Sequence, residues 1–333
     1  MTLRPRPLRL WLLLLALAML AATAANIGAV PISLPLLWRA PLNDALWHIW
    51  FNIRLPRVLL AVLVGAALAT AGGVMQGLFR NPLADPGLLG ISSGAALAVA
   101  CSVVLPFSPP PLLALYAPTL AAFCGSLAVT LLIFTLSRSG SAVLARLLLA
   151  GIAINALCGS ATGVLSWLSD DRQLRQLSLW GMGSLGQAQW SSVAVLATLT
   201  LPALLVIQKQ ARRLNLLQLG DEQAHYLGVD VRRTQRLLLL LSSLLVGAAV
   251  AVSGIIGFVG LVMPHLIRMW LGADHRALLP GSALAGALLL LLADTAARTL
   301  VLPAEMPVGL LTSLLGSPWF LWLILREKRL THG

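Results

Sequence analysis

Apolar residues fall in long runs along nearly the whole chain, separated by short stretches of charged, Pro and Gly residues. A helix needs about 20 apolar residues to cross a bilayer. Runs of that order occur near residues 8–30, 55–78, 88–105, 112–136, 143–168, 190–207, 237–253, 255–271, 278–300 and 306–325. The seventh and eighth share an uncharged stretch of 31 residues between Arg236 and Arg268, too long for one span. Gly254, within Ser253-Gly254-Ile255, divides it into two helices joined by a tight turn. The pattern predicts an all-α polytopic membrane protein of about ten transmembrane helices, a single domain over 1–333. Its first run follows Arg4, Arg6 and Arg9 and ends in small residues, as a cleaved secretory signal does. The run continues through Ile27 and Val30, so a retained first helix is expected.

Composition narrows the class. Of 333 residues, 59% are hydrophobic and 10% charged, against about 45–50% and 25% in soluble domains. That excess excludes a soluble enzyme, a secreted disulfide scaffold and a free nucleic-acid binder. The net charge of +12 is spread over the ends of apolar runs, where it sets orientation. With the N-terminus inside, 17 of the 23 Lys and Arg fall on the cytoplasmic side. The outer side receives Arg39, Arg54, Arg57, Arg172, Arg175 and Arg298, and Trp38, Trp47, Trp50, Trp167, Trp180 and Trp190 crowd there as an interfacial belt. Both termini are expected inside. Cys101, Cys124 and Cys158 show no disulfide or ligand spacing and read as small apolar packing residues. No metal site is expected.

Few connections are long enough to carry function. The longest cytoplasmic loop, 208–236, contains Gly220-Asp221-Glu222-Gln223-Ala224-His225-Tyr226-Leu227-Gly228. Asp221 and Glu222 suit the start of a short helix, and Gly228 suits its stop. Such an element reads either as a surface offered to a motor subunit or as a solvated connector. On the outer side, Arg54 and Arg57 precede the second span, and Asp294 and Arg298 are spaced to meet on one helix face. Outward arginines oppose the charge bias; they suit either an acidic partner or lipid headgroups. Residues 80–90 hold two prolines and two glycines, with Asp85 placed to cap a turn begun by Pro86. That segment reads as a path-lining element or as a structural turn.

A phosphate-cradling loop needs Lys followed by Ser or Thr. Lys209 precedes Gln210 and Lys328 precedes Arg329, so any ATP hydrolysis would have to come from a separate subunit. An intramembrane serine protease built on Ser92, Ser93, Ser253 and His265 lacks a readable nucleophile–base pair. An ion-coupled secondary transporter would place acidic residues at mid-span, and no mid-span acidic pair occurs. No catalytic residue is assigned. Asn155, Ser160 and Thr162 on the fifth span are candidates for lining a path, alongside the alternative of helix-packing polar residues.

Several segments together carry a resemblance. They are Arg54-Leu55-Pro56-Arg57; the run from Met75 through Arg80-Asn81-Pro82 to Gly90; Gly220 to Val229; Gly257 to His265; and Ala293-Asp294-Thr295-Ala296-Ala297-Arg298. In this order they resemble permease subunits of bacterial type II ABC importers for ferric siderophores, haem and vitamin B12. Residues 166–180 are most similar to the haem permeases. The resemblance implies a homodimer in the bacterial inner membrane, with two cytoplasmic ATPases below and a periplasmic binding protein above. It also implies haem as transported substrate, ATP bound by the partner, and no permanent cofactor. Asp221 to Leu227, flanked by Gly220 and Gly228 and including Glu222 and Ala224, corresponds to the coupling helix. Arg54, Arg57 and Arg298 correspond to positions that receive acidic residues of the binding protein.

Overall fold

The computed structural model describes residues 6–28, 41, 45–105, 111–136, 143–301 and 304–331. Arg4, Trp38, Arg39 and Arg138 lie outside the described residues. The helices are α1 (Arg6–Asn26), α2 (Leu55–Leu78), α3 (Ile91–Val104), α4 (Pro111–Leu136), α5 (Val143–Leu168), α6 (Asp171–Gly181), α7 (Trp190–Lys209), α8 (Ala211–Leu217), α9 (Asp221–Tyr226), α10 (Val231–Ser253), α11 (Val259–Leu271), α12 (His275–Thr299) and α13 (Val308–Thr331). Each of the ten apolar runs overlaps one of these helices over the described residues. Among the described residues, six helical stretches are long and apolar enough to cross a membrane, and four further apolar helices are shorter.

Three boundaries follow from local chemistry. After α2, Asp85 accepts the Gly87 amide at 2.6 Å and Pro86 opens a 3-10 turn, Pro86–Leu89, that left-handed Gly90 ends. The expected cap is present, on a turn of its own ahead of α3. Between α10 and α11, Gly254 takes φ +68°, where a Cβ would overlap the Trp180 carbonyl. Phe258 is left-handed at φ +67° and is held against Gly316. Ahead of α2, Ala45–His48 and a π-helical stretch, Ile49–Arg54, run without a break into the span. Single π segments commonly mark functional positions, and this one ends on Arg54.

Helix α2 is the axis of the bundle, packed against α7, α10, α11 and α12 with 20 of its 24 residues buried. Small residues allow this. Gly65 meets Gly286 of α12 and Gly72 meets Gly260 of α11 so closely that a Cβ on either α2 glycine would overlap a backbone carbonyl. Close backbone approach through small residues is how helices associate where lipid is as apolar as the core. The outside is equally apolar: Trp11, Leu15, Met19, Leu149, Leu157 and Leu205 are all exposed.

Gly72→Ala is therefore expected to push α2 off α11 and cost about 1–3 kcal/mol by overpacking. Thermal unfolding of the detergent-solubilised protein checks this. Gly181→Ala, where a Cβ meets nothing within 4 Å, serves as the silent comparison.

Candidate functional site

Functional side chains gather at the two ends of the bundle. At one end α2 begins and α1 and α12 finish. Arg57 Nε donates to both oxygens of Asp294, at 3.0 and 3.1 Å, and its Nη1 donates to Glu305 Oε2 at 2.8 Å. Asp294 is fully buried, whereas the Glu305 side chain is 52% exposed. Arg298 Nε stands 3.3 Å from Asp294 Oδ2, the contact expected from their four-residue spacing. Its Nη groups donate to the carbonyls of Ala24 and Ile27, each at 3.2 Å. Arg54 Nη1 donates to the Asn26 carbonyl at 2.7 Å.

The last carbonyls of a helix lack intrahelical partners and carry its negative dipole end. Arg54 and Arg298 thus cap the end of α1, while Arg57 neutralises Asp294. Arg54, Arg57 and Arg298 gather at this one end, but they are 5–6% exposed and point inward. The group's outlet to the surface is Glu305. Sequence reading missed both the α1 cap and the Arg57–Asp294 pair, whose members are 237 positions apart. The outward arginines themselves were the available signal, since an unpaired one is costly inside a membrane.

At the opposite end, α9 matches the expected short helix, with Asp221 and Glu222 in its first turn. Gly220 (φ +120°) and Gly228 (φ +84°) flank it in conformations that suit glycine. Ala224 is completely buried, while Leu219, Leu227 and Tyr226 are 60%, 57% and 79% exposed. The element is strapped to the end of α2. Arg80 pairs with Asp221, Arg80 Nε donates to the Leu217 carbonyl at 2.8 Å, and Gln218 Nε2 donates to the Gly77 carbonyl at 2.8 Å. Arg80 holds this position with φ +50°. A second strap joins Asn215 Nδ2 to Asp274 Oδ1 at 2.8 Å. The hydrogen-bonded Arg276 guanidinium holds the Asp274 carboxyl well below the usual carboxylate range, aided by Asn215, so this strap stays charged through neutral pH. Neither strap was foreseen.

Asn155, Ser160 and Thr162 do not form one group. Asn155 accepts from Ser93 Oγ at 2.6 Å and donates to the Gly87 carbonyl at 3.3 Å, tying α5 to the 3-10 turn. The Thr162 hydroxyl is buried with no partner among the described residues. Ser160 lies on a face of α5 that no described element covers, where Cβ atoms built on Gly159 and Gly163 would meet nothing. Among the described residues, no group of three His, Cys, Asp or Glu side chains stands ready to hold a metal.

Helix α6 occupies the connection between α5 and α7 and was not anticipated. Its signal was the capping box Asp170-x-x-Gln173, with Asp170 Oδ1 accepting the Gln173 amide at 2.8 Å and Gln173 Oε1 accepting the Asp170 amide at 3.0 Å.

Among the described residues, six helical stretches long and apolar enough to cross a bilayer, with an outer surface as apolar as the core, mark a membrane-embedded helical bundle. The chain belongs to the FecCD transport family, whose model matches residues 12–326. It is 68% identical over 330 residues to the hemin transport system permease protein of Yersinia pestis, covering 99% of this chain and 98% of that one. It is 42% identical over 324 residues to the vitamin B12 import system permease protein of Salmonella typhi, covering 96% of each. A solved structure described as an inward-facing conformation of a metal-chelate type ABC transporter superposes with a TM-score of 0.86. That structure is 34% identical, over 96% of this chain and 99% of that one.

Proposed function

We propose that this chain is the membrane-spanning permease of an ATP-driven importer that moves haem from periplasm to cytoplasm by alternating access. The observation that carries the substrate is the 68% identity, end to end, with a hemin permease, against 42% for vitamin B12 permeases. A ferric siderophore or corrinoid is the second reading within the same class. The permease crosses the bacterial inner membrane ten times with both termini inside, in keeping with the charge bias. It works as a homodimer, and the uncovered face of α5 bearing Gly159 and Gly163 suits close contact with a second copy or with the path between copies. Ser160 shares that face, and Asn155 and Thr162 lie on the adjoining face of the same helix.

Two ATPase subunits dock on α9, whose exposed Tyr226 and Leu227 offer an apolar contact beside Asp221 and Glu222. Their closure on ATP moves α9, and the Arg80–Asp221 pair passes the motion to the end of α2. A periplasmic binding protein docks at the opposite end, where its carboxylates reach Arg57 by replacing Glu305 and draw on the charge of Arg54 and Arg298. Glu305→Gln removes the internal competitor. It is expected to tighten docking by about two- to fivefold, the range of a half-exposed ion pair. Binding-protein affinity for the permease in nanodiscs measures it; weaker docking would count against this role.

The proposed function is tested by haem accumulation in vesicles holding the permease, its ATPase and the loaded binding protein. Accumulation that requires hydrolysable ATP supports it. Hydrolysis without haem movement transfers the substrate to siderophores or corrinoids.

A further inference from the structure

Six arginines oppose the charge bias of the chain. Arg54, Arg57 and Arg298 are explained by internal partners, and Arg39 lies outside the described residues. Arg172 and Arg175 are left. Both are exposed, and among the described residues neither meets a carboxylate within ion-pair distance. They lie three positions apart on α6 and therefore on one helix face. Both line a cavity of about 470 Å³, within the roughly 300–1,000 Å³ of small-molecule sites.

The other walls of this cavity are of two kinds. Val99, Pro118, Leu179 and Trp180 are apolar, while Gln176 and Gln187 are neutral hydrogen-bonding groups. Glu305 is the one carboxylate in the lining, and Arg57 holds it at 2.8 Å. The cavity is thus net positive with a largely apolar wall. It is also pre-organised. The start of α6 is fixed by its capping box and by Gln173 Nε2 donating to the Val103 carbonyl at 3.0 Å. Beyond its end, the Ser184 amide donates to the Ser253 carbonyl at 2.8 Å. Because their helix is already placed, the two guanidiniums lose only side-chain freedom on binding a carboxylate.

We infer that Arg172 and Arg175 form a recognition site for the paired carboxylates of an apolar substrate entering the permease. The inference rests on the proposed function and deepens it: for haem, the site reads the two propionates while Leu179 and Trp180 receive the ring.

The test uses the permease–ATPase complex in nanodiscs, titrated optically with haem and with haem dimethyl ester, which keeps the ring and lacks the free carboxylates. The wild type is expected to favour haem over the ester by about tenfold or more. Arg172→Gln/Arg175→Gln is expected to weaken haem binding by a similar factor, leave the ester unchanged and slow haem uptake. The Lys/Lys variant should recover part of the loss, since it restores charge without the fork. Helix α6 buries none of its residues, so the variants should assemble, which gel filtration verifies. Equal loss of haem and ester, or no loss of either, overturns the inference. Weakened binding-protein docking with the haem preference intact overturns it too and assigns the arginines to docking. If the wild type imports haem with ATP and the Gln variant imports it equally well, only this inference fails. If the wild type neither binds nor imports haem, the proposed function fails and this site with it.

Discussion

Arg57→Glu is expected to leave almost no folded permease to extract from the membrane. Asp294 is fully buried and takes two hydrogen bonds from Arg57 Nε, with Nη2 also 3.0 Å from Oδ1. Removing one partner of a buried pair costs about 3–5 kcal/mol, because the other charge is left without compensation. Reversal adds a like charge beside it, so the loss exceeds that of deletion. The resemblance assigns Arg54 and Arg57 to docking. Both side chains are buried against the chain's own carboxylates and carbonyls, so reversing them is expected to damage assembly as well as docking. Asp294→Asn should cost more than Glu305→Gln, because the first carboxylate is inaccessible and the second is 52% exposed and screened. Yield and monodispersity after detergent extraction, with thermal midpoints for the milder variants, measure the series. A monodisperse Arg57→Glu protein at wild-type yield would remove the buried pair from any structural role.

Ala224→Pro should abolish haem uptake while the bundle stays folded. The Ala224 amide donates to the Gly220 carbonyl at 2.9 Å, and its side chain is completely buried. Proline removes that bond and clashes with the same carbonyl, at about 3 kcal/mol or more. A helix of six residues has little stability of its own, so α9 should melt. Helices α8 and α10 keep separate anchors, among them Gln218 on Gly77 and the Asp230 cap on the Arg233 amide, so damage stays local. Hydrolysis should then run without transport, or the ATPase should fail to bind. Ala224→Gly should give a weaker version, at about 1 kcal/mol. Normal ATP-driven uptake in the proline variant would rule out α9 as the coupling element.

Much of the fold was legible in the sequence, for reasons that can be named. The break at Gly254, the cap at Asp85 and the short helix from Asp221 are local events, set by residues within a turn of each other. The Asp294–Arg298 contact was legible because four residues on a helix bring side chains together. Helix α6 carries an equally local signal in its capping box, but it lies in a polar connector that the apolar-run pattern does not mark. The site was less legible. Arg80–Asp221 and Asn215–Asp274 join different connections, so no spacing rule reaches them. Asn155 and Thr162, seven residues apart, fall on nearly one helix face and Ser160 on another, since each step along a helix turns the side chain about 100°. Only packing against neighbours gives Asn155 its partners and leaves the Thr162 hydroxyl without one among the described residues.

By itself, the sequence determined that the chain lives in a membrane, where its apolar segments begin and end, and which family pattern it follows. Bilayer thickness demands long apolar runs, and caps and glycines act over a few residues. The tertiary structure alone decided that α2 is the axis, that the outer arginines turn inward, and that Arg57 finds Asp294. In a soluble helix a polar face marks the outside. Here the outward and inward faces are equally apolar, so hydropathy says nothing about which side packs. That choice falls to shape, where glycine meets glycine closely enough for backbones to touch, and to the need of every buried charge for a partner.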